Sequence, residues 1–239
     1  DFHTALYSAL REDVDVVTFA HPIKDEANIT NPTKVKIAMT GDGRALNFSR
    51  SPIPHGPSVM ARHIGFYGYR YAAMERYVVS HSDGYGSSGE ALVAETAALG
   101  EPAVMMIAKE QYAFLRCLTD MLGCKRAMDI GTFTGLSALA FADGVGPAGR
   151  VTTIDRNPAW VEIAQKHWVA SGVRERIDVQ IGEAIDVLHG LAANPEVRFD
   201  IAFLDVDKAR VRDYFEQTLN LMAPGGLIIV DNALWHGWV

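Results

Sequence analysis

The sequence predicts an α/β protein whose larger part is a doubly wound, Rossmann-like parallel sheet, preceded by a small N-terminal strand-rich segment. Two observations support this fold class. From residue 73 to residue 239, short apolar runs alternate with amphipathic helical stretches, which is typical of a parallel sheet covered by helices on both faces. Residues 1–72 instead carry short β-like runs separated by turn residues. We therefore expect two domains, 1–72 and 73–239.

The N-terminal domain is predicted from three β-like runs, Val14–Phe19, Lys34–Met39 and Ile64–Tyr69. Residues 51–57 contain three prolines and are expected to form a loop, because proline cannot donate a hydrogen bond to a β-ladder. So short a strand-rich stretch is expected to serve as a packing or dimerisation module, and we expect a homodimer.

The C-terminal domain is predicted from five short apolar runs that helical stretches separate. The predicted strands are Ala127–Ile130, Val151–Ile154, Ile177–Ile181, Ile201–Leu204 and Leu227–Val230. Asn157-Pro158 is a helix cap followed by proline at the first helical position, and Ser87 and Glu90 have the spacing of a capping box. Ligands of parallel sheets bind at the carboxyl ends of the strands, so those ends are the candidate site.

Composition and charge exclude several classes of function. The chain of 239 residues has 22 Lys and Arg against 29 Asp and Glu, a net charge of −7, which argues against nucleic-acid binding. No apolar run reaches the roughly 18 residues that a membrane span requires. The two cysteines are expected to be reduced thiols. We expect a cytoplasmic protein whose partner is a small molecule.

The first predicted strand end carries a glycine turn. Gly131 and Gly135 let the backbone turn sharply ahead of a helix N-terminus, and the next strand ends in Asp155, where a carboxylate can accept both hydroxyls of a ribose. The three-glycine dinucleotide pattern is absent, so a nucleoside without a diphosphate, such as S-adenosylmethionine, fits better. A tight turn without a ligand, and a helix-capping role for Asp155, remain alternatives.

Two later strand ends carry hard oxygen ligands. Asp205 follows one strand, and Asp231 and Asn232 follow another, so the three could converge around Mg²⁺ or Ca²⁺. Lys208 lies three residues beyond Asp205, close enough to act as a general base. The alternative is that the acids cap the following helices and that Lys208 is a solvated surface charge.

These motifs together resemble a known family over residues 74–239. The segments Met128–Gly135, Asp205–Lys208 and Ala223–Trp235 resemble the cation-dependent, S-adenosylmethionine-dependent O-methyltransferases of the caffeoyl-CoA and catechol O-methyltransferase type. The resemblance implies methyl transfer to a hydroxyl of a small, catechol-like phenolic acceptor. It also implies that Lys208 is the general base and that Asp205, Asp231 and Asn232 bind the cation.

The resemblance further implies a set of residues that bind the cofactor. They are Met105, Ile107, Asp129, Gly131, Thr132, Phe133, Ser137, Asp155, Arg156, Glu183, Ala184, Asp205 and Asp207. Val211 stands where the family often has Tyr, which is expected to alter the acceptor pocket. The family continues with a helix and a closing hairpin beyond the Leu-Trp segment, whereas this sequence ends at Val239. That hairpin is therefore expected to be missing, either lost or supplied by another segment or chain. Trp235, His236 and Trp238 could line the acceptor pocket or pack in the fold.

Residues 1–78 resemble a different family, an internal piece of the 3-deoxy-manno-octulosonate cytidylyltransferases. The matching segments are Asn31–Lys36, Asp42–Pro54 and Arg62–Arg70. The resemblance implies that Arg50, His63 and Tyr67 contact an acidic sugar, while the nucleotide loop of that family is absent. An acidic-sugar-binding module is therefore one alternative function, and a noncatalytic truncated or chimeric remnant is another.

Overall fold

The computed structural model describes residues 14–25, 27–53 and 59–233. The chain divides into two compact units, Asp1–Ser80 and His81–Val239. The domain boundary that the sequence predicts after residue 72 stays a prediction.

The first unit is built on a four-stranded antiparallel sheet. Its strands are β1 (Val16–Pro22), β2 (Lys36–Met39), β3 (Ala45–Ser49) and β4 (Val59–Tyr69), in the order β1-β4-β2-β3. Its helices are α1 (Ala27–Thr30) and α2, which spans Tyr71–His81 across the unit boundary. Ile37, Ala38 and Ala61 form the small buried centre of the sheet.

The second unit is a five-stranded, fully parallel sheet with helices on both faces. Its helices are α3 (Gly86–Ala97), α4 (Lys109–Met121), α5 (Leu136–Gly144), α6 (Pro158–Ala170), α7 (Ala184–Ala192) and α8 (Val211–Leu219), with 3₁₀ turns at Glu101–Met105, Arg174–Arg176 and Lys208–Arg210. Its strands are β5 (Arg126–Ile130), β6 (Arg150–Asp155), β7 (Ile177–Ile181), β8 (Phe199–Leu204) and β9 (Met222–Val230). The strand order is β7-β6-β5-β8-β9.

The apolar core of this unit lies in two layers because successive strand residues point to opposite faces. On β8, Phe203 packs in one hydrophobic cluster and its neighbour Leu204 packs in the other. Phe141 of α5 and Trp168 of α6 belong to the first cluster, whereas Leu188 of α7 belongs to the second. The near-continuous apolar strands of the sequence are thus explained by burial on both faces.

The predicted doubly wound sheet is confirmed, and all five predicted strands form. The predicted capping box at Ser87 and Glu90 is wrong, since α3 begins at Gly86 and its N-cap, Tyr85, makes no side-chain cap bond. Three elements of the structure, β3, α1 and α2, were not predicted from the sequence. Within the described ranges, no helix has the length and apolarity that a membrane crossing requires.

Chain direction locates the candidate site on this sheet. The chain moves outward from β5 through β6 to β7, then returns to the other side of β5 and continues through β8 to β9. The topological switch point therefore lies between β5 and β8, where open α/β sheets bind their ligands at the carboxyl ends of the strands.

Candidate active site

A cavity of about 720 Å³ opens at the carboxyl ends of the strands. Thirteen of the residues predicted for the site line it: Met105, Ile107, Gly131, Phe133, Asp155, Arg156, Glu183, Ala184, Asp205, Asp207, Lys208, Asp231 and Asn232. The cavity therefore brings the predicted cofactor residues and the predicted cation ligands into one space.

Backbone hydrogen bonds hold the strand tips together just beyond the sheet. The Gly131 N–H donates to the carbonyl of Ile154 at 3.0 Å, and the Asp205 N–H donates to the carbonyl of Ile130 at 3.0 Å. Gly131 has a φ of 103°, and a β-carbon there would lie 2.2 Å from the carbonyl oxygen of Asp205. Only glycine therefore lets the turn after β5 approach the tip of β8 this closely.

Asp155 is fixed by two backbone donors. Its Oδ2 accepts the Phe133 N–H at 2.7 Å, and its Oδ1 accepts the Asn157 N–H at 2.8 Å. The cap of α6 is Asn157, whose side chain accepts the Ala159 N–H, so Asp155 is not the helix cap that the sequence left open. Both carboxylate oxygens keep lone pairs that a ligand can use, because each accepts a single N–H bond.

Asp129, Thr132 and Ser137 are buried in and around the glycine turn and do not line the cavity. The Asp129 Oδ2 accepts hydrogen bonds from Ser137 (3.1 Å) and Thr153 (2.8 Å), and the Thr132 and Thr153 hydroxyls lie 2.6 Å apart. Burial raises the pKa of Asp129 to about 7. The Asp129 Oδ1 is buried without a hydrogen-bond partner among the described residues. Direct contact of these three residues with a cofactor stays a prediction.

The acidic end of the cavity is built by the tips of β8 and β9. Burial, and then the negative charge of Asp231, raise the pKa of Asp205, while Lys208 lowers it. The Lys208 Nζ lies 3.4 Å from the Asp205 Oδ1, and their side chains are 18% and 26% exposed. Asn232 has a φ of 47°, in the left-handed region that Asn tolerates better than most residues.

The fit of a divalent cation to this end depends on its donor set. Asp205, Asp231 and Asn232 offer two carboxylates and an amide oxygen, the hard ligands that Mg²⁺ and Ca²⁺ take. No group of three or more His, Cys, Asp or Glu residues in the described part of the chain could hold a metal. The residues present fit a hard cation only if water or substrate oxygens complete its coordination.

Three other predicted site residues have local roles. The Asp207 side chain accepts the Ala209 N–H at 3.1 Å, so Asp207 caps the 3₁₀ turn after β8 as well as lining the cavity. Arg156 and Glu183 form an exposed pair at 3.8 Å on the cavity wall.

Several side chains of the cavity wall were not predicted from the sequence, and Trp160 and Gln111 are two of them. Trp160 packs edge-on against Phe133 with ring centroids 5.0 Å apart. Gln111 donates from Nε2 to the Asp231 Oδ1 at 3.0 Å. An aromatic residue in the first turn of the helix after Asp155 was a usable signal for Trp160, whereas nothing local connects Gln111 with a residue 120 positions away.

The residues predicted to bind an acidic sugar lie in the first unit. The His63 and Tyr67 rings have centroids 5.2 Å apart, and the Thr18 hydroxyl lies 2.9 Å from the His63 Nε2. The Arg50 Nη1 donates to the carbonyl of Pro32 at 3.3 Å. The cytidylyltransferase resemblance stays a prediction. Trp235, His236 and Trp238 lie outside the described residues.

Comparison with known proteins decides the family. A family profile described as O-methyltransferase matches residues 82–239, which is well over half of the chain. The chain belongs to the O-methyltransferase family. The enzyme class that the motifs predicted is thereby confirmed.

Curated relatives of this O-methyltransferase have related names. It is 35% identical over 164 residues to a probable caffeoyl-CoA O-methyltransferase of Dictyostelium discoideum, covering 68% of this chain and 71% of the relative. It is 31% identical over 172 residues to a catechol O-methyltransferase of Niastella koreensis, covering 71% and 76%.

Solved structures agree with the fold of this O-methyltransferase. A Bacillus cereus O-methyltransferase in complex with SAH is 31% identical, with a TM-score of 0.64, and the match covers 69% of this chain and 74% of that one. A Streptomyces achromogenes O-methyltransferase in complex with SAM is 26% identical, with the same TM-score and the same coverage.

Proposed function

We propose that this O-methyltransferase transfers the methyl group of S-adenosylmethionine (SAM) to a hydroxyl of a small, catechol-like phenol, and that the reaction depends on a divalent cation. The single observation that carries the proposal is the shared cavity, in which the glycine turn and Asp155 face the same space as Asp205, Asp231 and Lys208. SAM-bound and SAH-bound relatives support the donor.

The methyl donor would lie against the glycine turn and Asp155 in the cavity. The two backbone donors that hold Asp155 orient its carboxylate before any ligand arrives, so accepting ribose hydroxyls costs little reorganisation. Trp160 and Ala184 also line the cavity and offer apolar surface to a purine ring. The donor supplies a methyl group on a positively charged sulfur, and the acidic cavity wall favours that charge over a neutral ligand.

A divalent cation would be held by Asp205, Asp231 and Asn232. When bound, such a cation acts as a Lewis acid that acidifies a hydroxyl beside it. Its placement beside Lys208 is supported by the contact between the Lys208 Nζ and the Asp205 Oδ1. The proposed acceptor is a phenol with two adjacent hydroxyls because two such oxygens can complete a coordination shell that the protein leaves open.

Lys208 would receive the proton of the attacking hydroxyl on its Nζ. The oxygen then forms a bond to the methyl carbon as the bond between that carbon and sulfur breaks, leaving a methyl ether and S-adenosylhomocysteine (SAH). The side chain of Lys208 is mostly buried, which restricts the positions that its amine can take. Holding the reactants in contact contributes roughly 7–11 kcal/mol in well-oriented systems.

The proposal is tested by following transfer of labelled methyl from SAM to 3,4-dihydroxybenzoate with Mg²⁺ or with a chelator. We expect label in the phenol with Mg²⁺ and none with the chelator. Lys208→Ala should lower turnover by about 100-fold or more while SAM still binds, because general-base catalysis contributes on that scale. Lys125→Ala is the matched control, since Lys125 is exposed beside the opposite, amino end of β5.

Full turnover in the Lys208→Ala variant would remove the general-base assignment alone. Transfer that persists with the chelator would remove the cation dependence. Absence of transfer to any diphenol by an enzyme that binds SAM would remove the acceptor class.

The expected homodimer is a separate proposal. Light scattering on the purified chain should give twice the 26.1 kDa of one protomer, and a mass of one protomer would contradict it.

A further inference from the structure

Gln111 links two parts of the cavity wall through its side-chain amide. It lies in the first turn of α4, three residues after the end of the cavity-lining segment Met105–Ala108. Its Oε1 accepts the Ala108 N–H at 2.8 Å, and its Nε2 donates to the Asp231 Oδ1 at 3.0 Å. One side chain thus joins the start of α4 to the tip of β9.

The orientation of this amide is fixed by its partners. A backbone N–H can only donate, so the amide oxygen must face Ala108 and the NH₂ group must face Asp231. The alternative flip would place two donors against each other and two acceptors against each other. The contact at Asp231 is therefore an N–H donated to a carboxylate by a group that carries no charge.

We infer that Gln111 is a positioning residue for the cation site: its neutral amide holds one oxygen of Asp231 and thereby turns the other oxygen toward the cation. A neutral donor suits this task because it fixes the carboxylate and leaves its negative charge for the cation. A Lys or Arg here would neutralise that charge. Partners that orient metal-binding carboxylates in this way typically change metal affinity by 10–100-fold when they are removed.

The inference rests on the proposed function, since it takes Asp231 as a cation ligand. It adds a residue that lies outside the three proposed ligands and that no sequence motif predicted. It also separates two possible roles for Gln111. As a helix cap alone, the side chain would contribute to stability and leave cation affinity unchanged; as a positioning residue, it alters cation affinity in a folded protein.

The test measures Mn²⁺ affinity of the full chain from the electron paramagnetic resonance signal of free Mn²⁺. Gln111→Met keeps the length of the side chain and removes both hydrogen bonds, and we expect its dissociation constant for Mn²⁺ to rise about tenfold or more. Gln180→Met is the matched control, because Gln180 also donates to a carboxylate, Asp178 Oδ2 at 2.8 Å, but on β7 and outside the cavity lining. Its Mn²⁺ affinity should equal that of the wild type.

A second measurement on the wild-type protein covers the case in which Gln111→Met does not fold. The chain contains four glutamines, Gln111, Gln165, Gln180 and Gln217, so selective ¹⁵N labelling gives few side-chain amide signals. Adding Mg²⁺ should shift the Gln111 side-chain signal and leave the Gln180 signal in place.

The outcomes separate the inference from the function beneath it. Two results would overturn the positioning role and leave the proposed function standing. One is a wild-type protein that binds Mn²⁺ and a folded Gln111→Met variant that binds it with the same affinity. The other is a Gln111 side-chain signal that Mg²⁺ does not shift. A wild-type protein that binds neither ion overturns the cation site itself, and the inference with it.

Discussion

Replacing Gly131 by alanine tests how closely the tips of β5 and β8 must approach. Gly131 has a φ of 103°, where an L-residue is strained by roughly 1–2 kcal/mol. The added β-carbon would also lie 2.2 Å from the carbonyl oxygen of Asp205, which belongs to the backbone and cannot rotate away. Overpacking of this kind costs about 1–3 kcal/mol. The two contributions sum to a predicted loss of about 2–5 kcal/mol in the free energy of unfolding.

Two other glycines provide controls for the two contributions. Gly146 has a φ of 72° and open space around a built β-carbon, so Gly146→Ala should lose only the roughly 1–2 kcal/mol of backbone strain. Gly190 lies inside α7 with open space, so Gly190→Ala should gain about 0.5–1 kcal/mol from helix propensity.

Urea unfolding followed by tryptophan fluorescence measures these changes in the second unit. All four tryptophans of the chain lie beyond residue 81, so the signal reports on the parallel-sheet unit. A Gly131→Ala variant that is no less stable than Gly146→Ala would refute the reasoning, because the close approach to Asp205 would then cost nothing.

Three further predictions concern the donor site, the packing of α4 on α5, and pH. Asp155→Ala should weaken SAM binding, measured by calorimetry, on the order of 100-fold, because hydrogen bonds to a charged group contribute about 1.5–3 kcal/mol each. The control Asp120→Asn, on the exposed side of α4, should leave SAM binding unchanged. Tyr112→Phe should lower the free energy of unfolding by about 1–2 kcal/mol, because the buried hydroxyl donates to the Asp143 Oδ2 at 2.5 Å. Burial raises the pKa of Asp129 to about 7, so folding takes up a proton between about pH 4 and pH 7, and the stability this proton supplies is lost as the pH rises through 7. Asp129→Asn should therefore make the free energy of unfolding less dependent on pH between 5 and 8.

Each of these predictions can fail on its own. Equal SAM affinity in Asp155→Ala and the wild type would exclude a ribose contact. An unchanged midpoint for Tyr112→Phe would mean that its hydrogen bond contributes nothing net. Identical pH slopes for Asp129→Asn and the wild type would mean that Asp129 is ionised in the folded protein.

The parallel sheet could be predicted because its strands are buried on both faces and read as apolar runs. The first and last residues of these strands were harder to predict. The predicted strand Ile201–Leu204 begins two residues earlier, at Phe199. The charged Asp200 is accommodated in the strand because its carboxylate accepts hydrogen bonds from the backbone N–H groups of Lys125 and Arg126. Strand β9 begins at Met222, five residues before the predicted start, and includes a Pro-Gly-Gly sequence that is typical of a turn. The strand contains this sequence because its register against β8 shifts after the first residue pair.

Three elements were missed because they bury little, and one of them is the short helix Ala27–Thr30, which has no buried residue. The helix Tyr71–His81 has no buried residue, so it contributes nothing to a core. The strand Ala45–Ser49 is mostly exposed. Patterns of hydrophobic residues indicate only the elements that contribute to a core.

The candidate site was predictable where chemistry follows directly from a strand end. Asp155, Asp205 and Asp231 each end or follow a parallel strand, and the sheet brings their positions together. The depth of Asp129 was not predictable, because the glycine motif gives its position along the chain and not its burial. Gln111 was not predictable either, since its partner at Asp231 is brought close only by the complete fold.

A crystal structure of the full chain with bound SAH tests the central claim most directly. We expect the ribose hydroxyls of SAH to lie within hydrogen-bond distance of the Asp155 carboxylate, with the sulfur toward Asp205 and Lys208. SAH bound elsewhere, or in this cavity with its ribose away from Asp155, would contradict it.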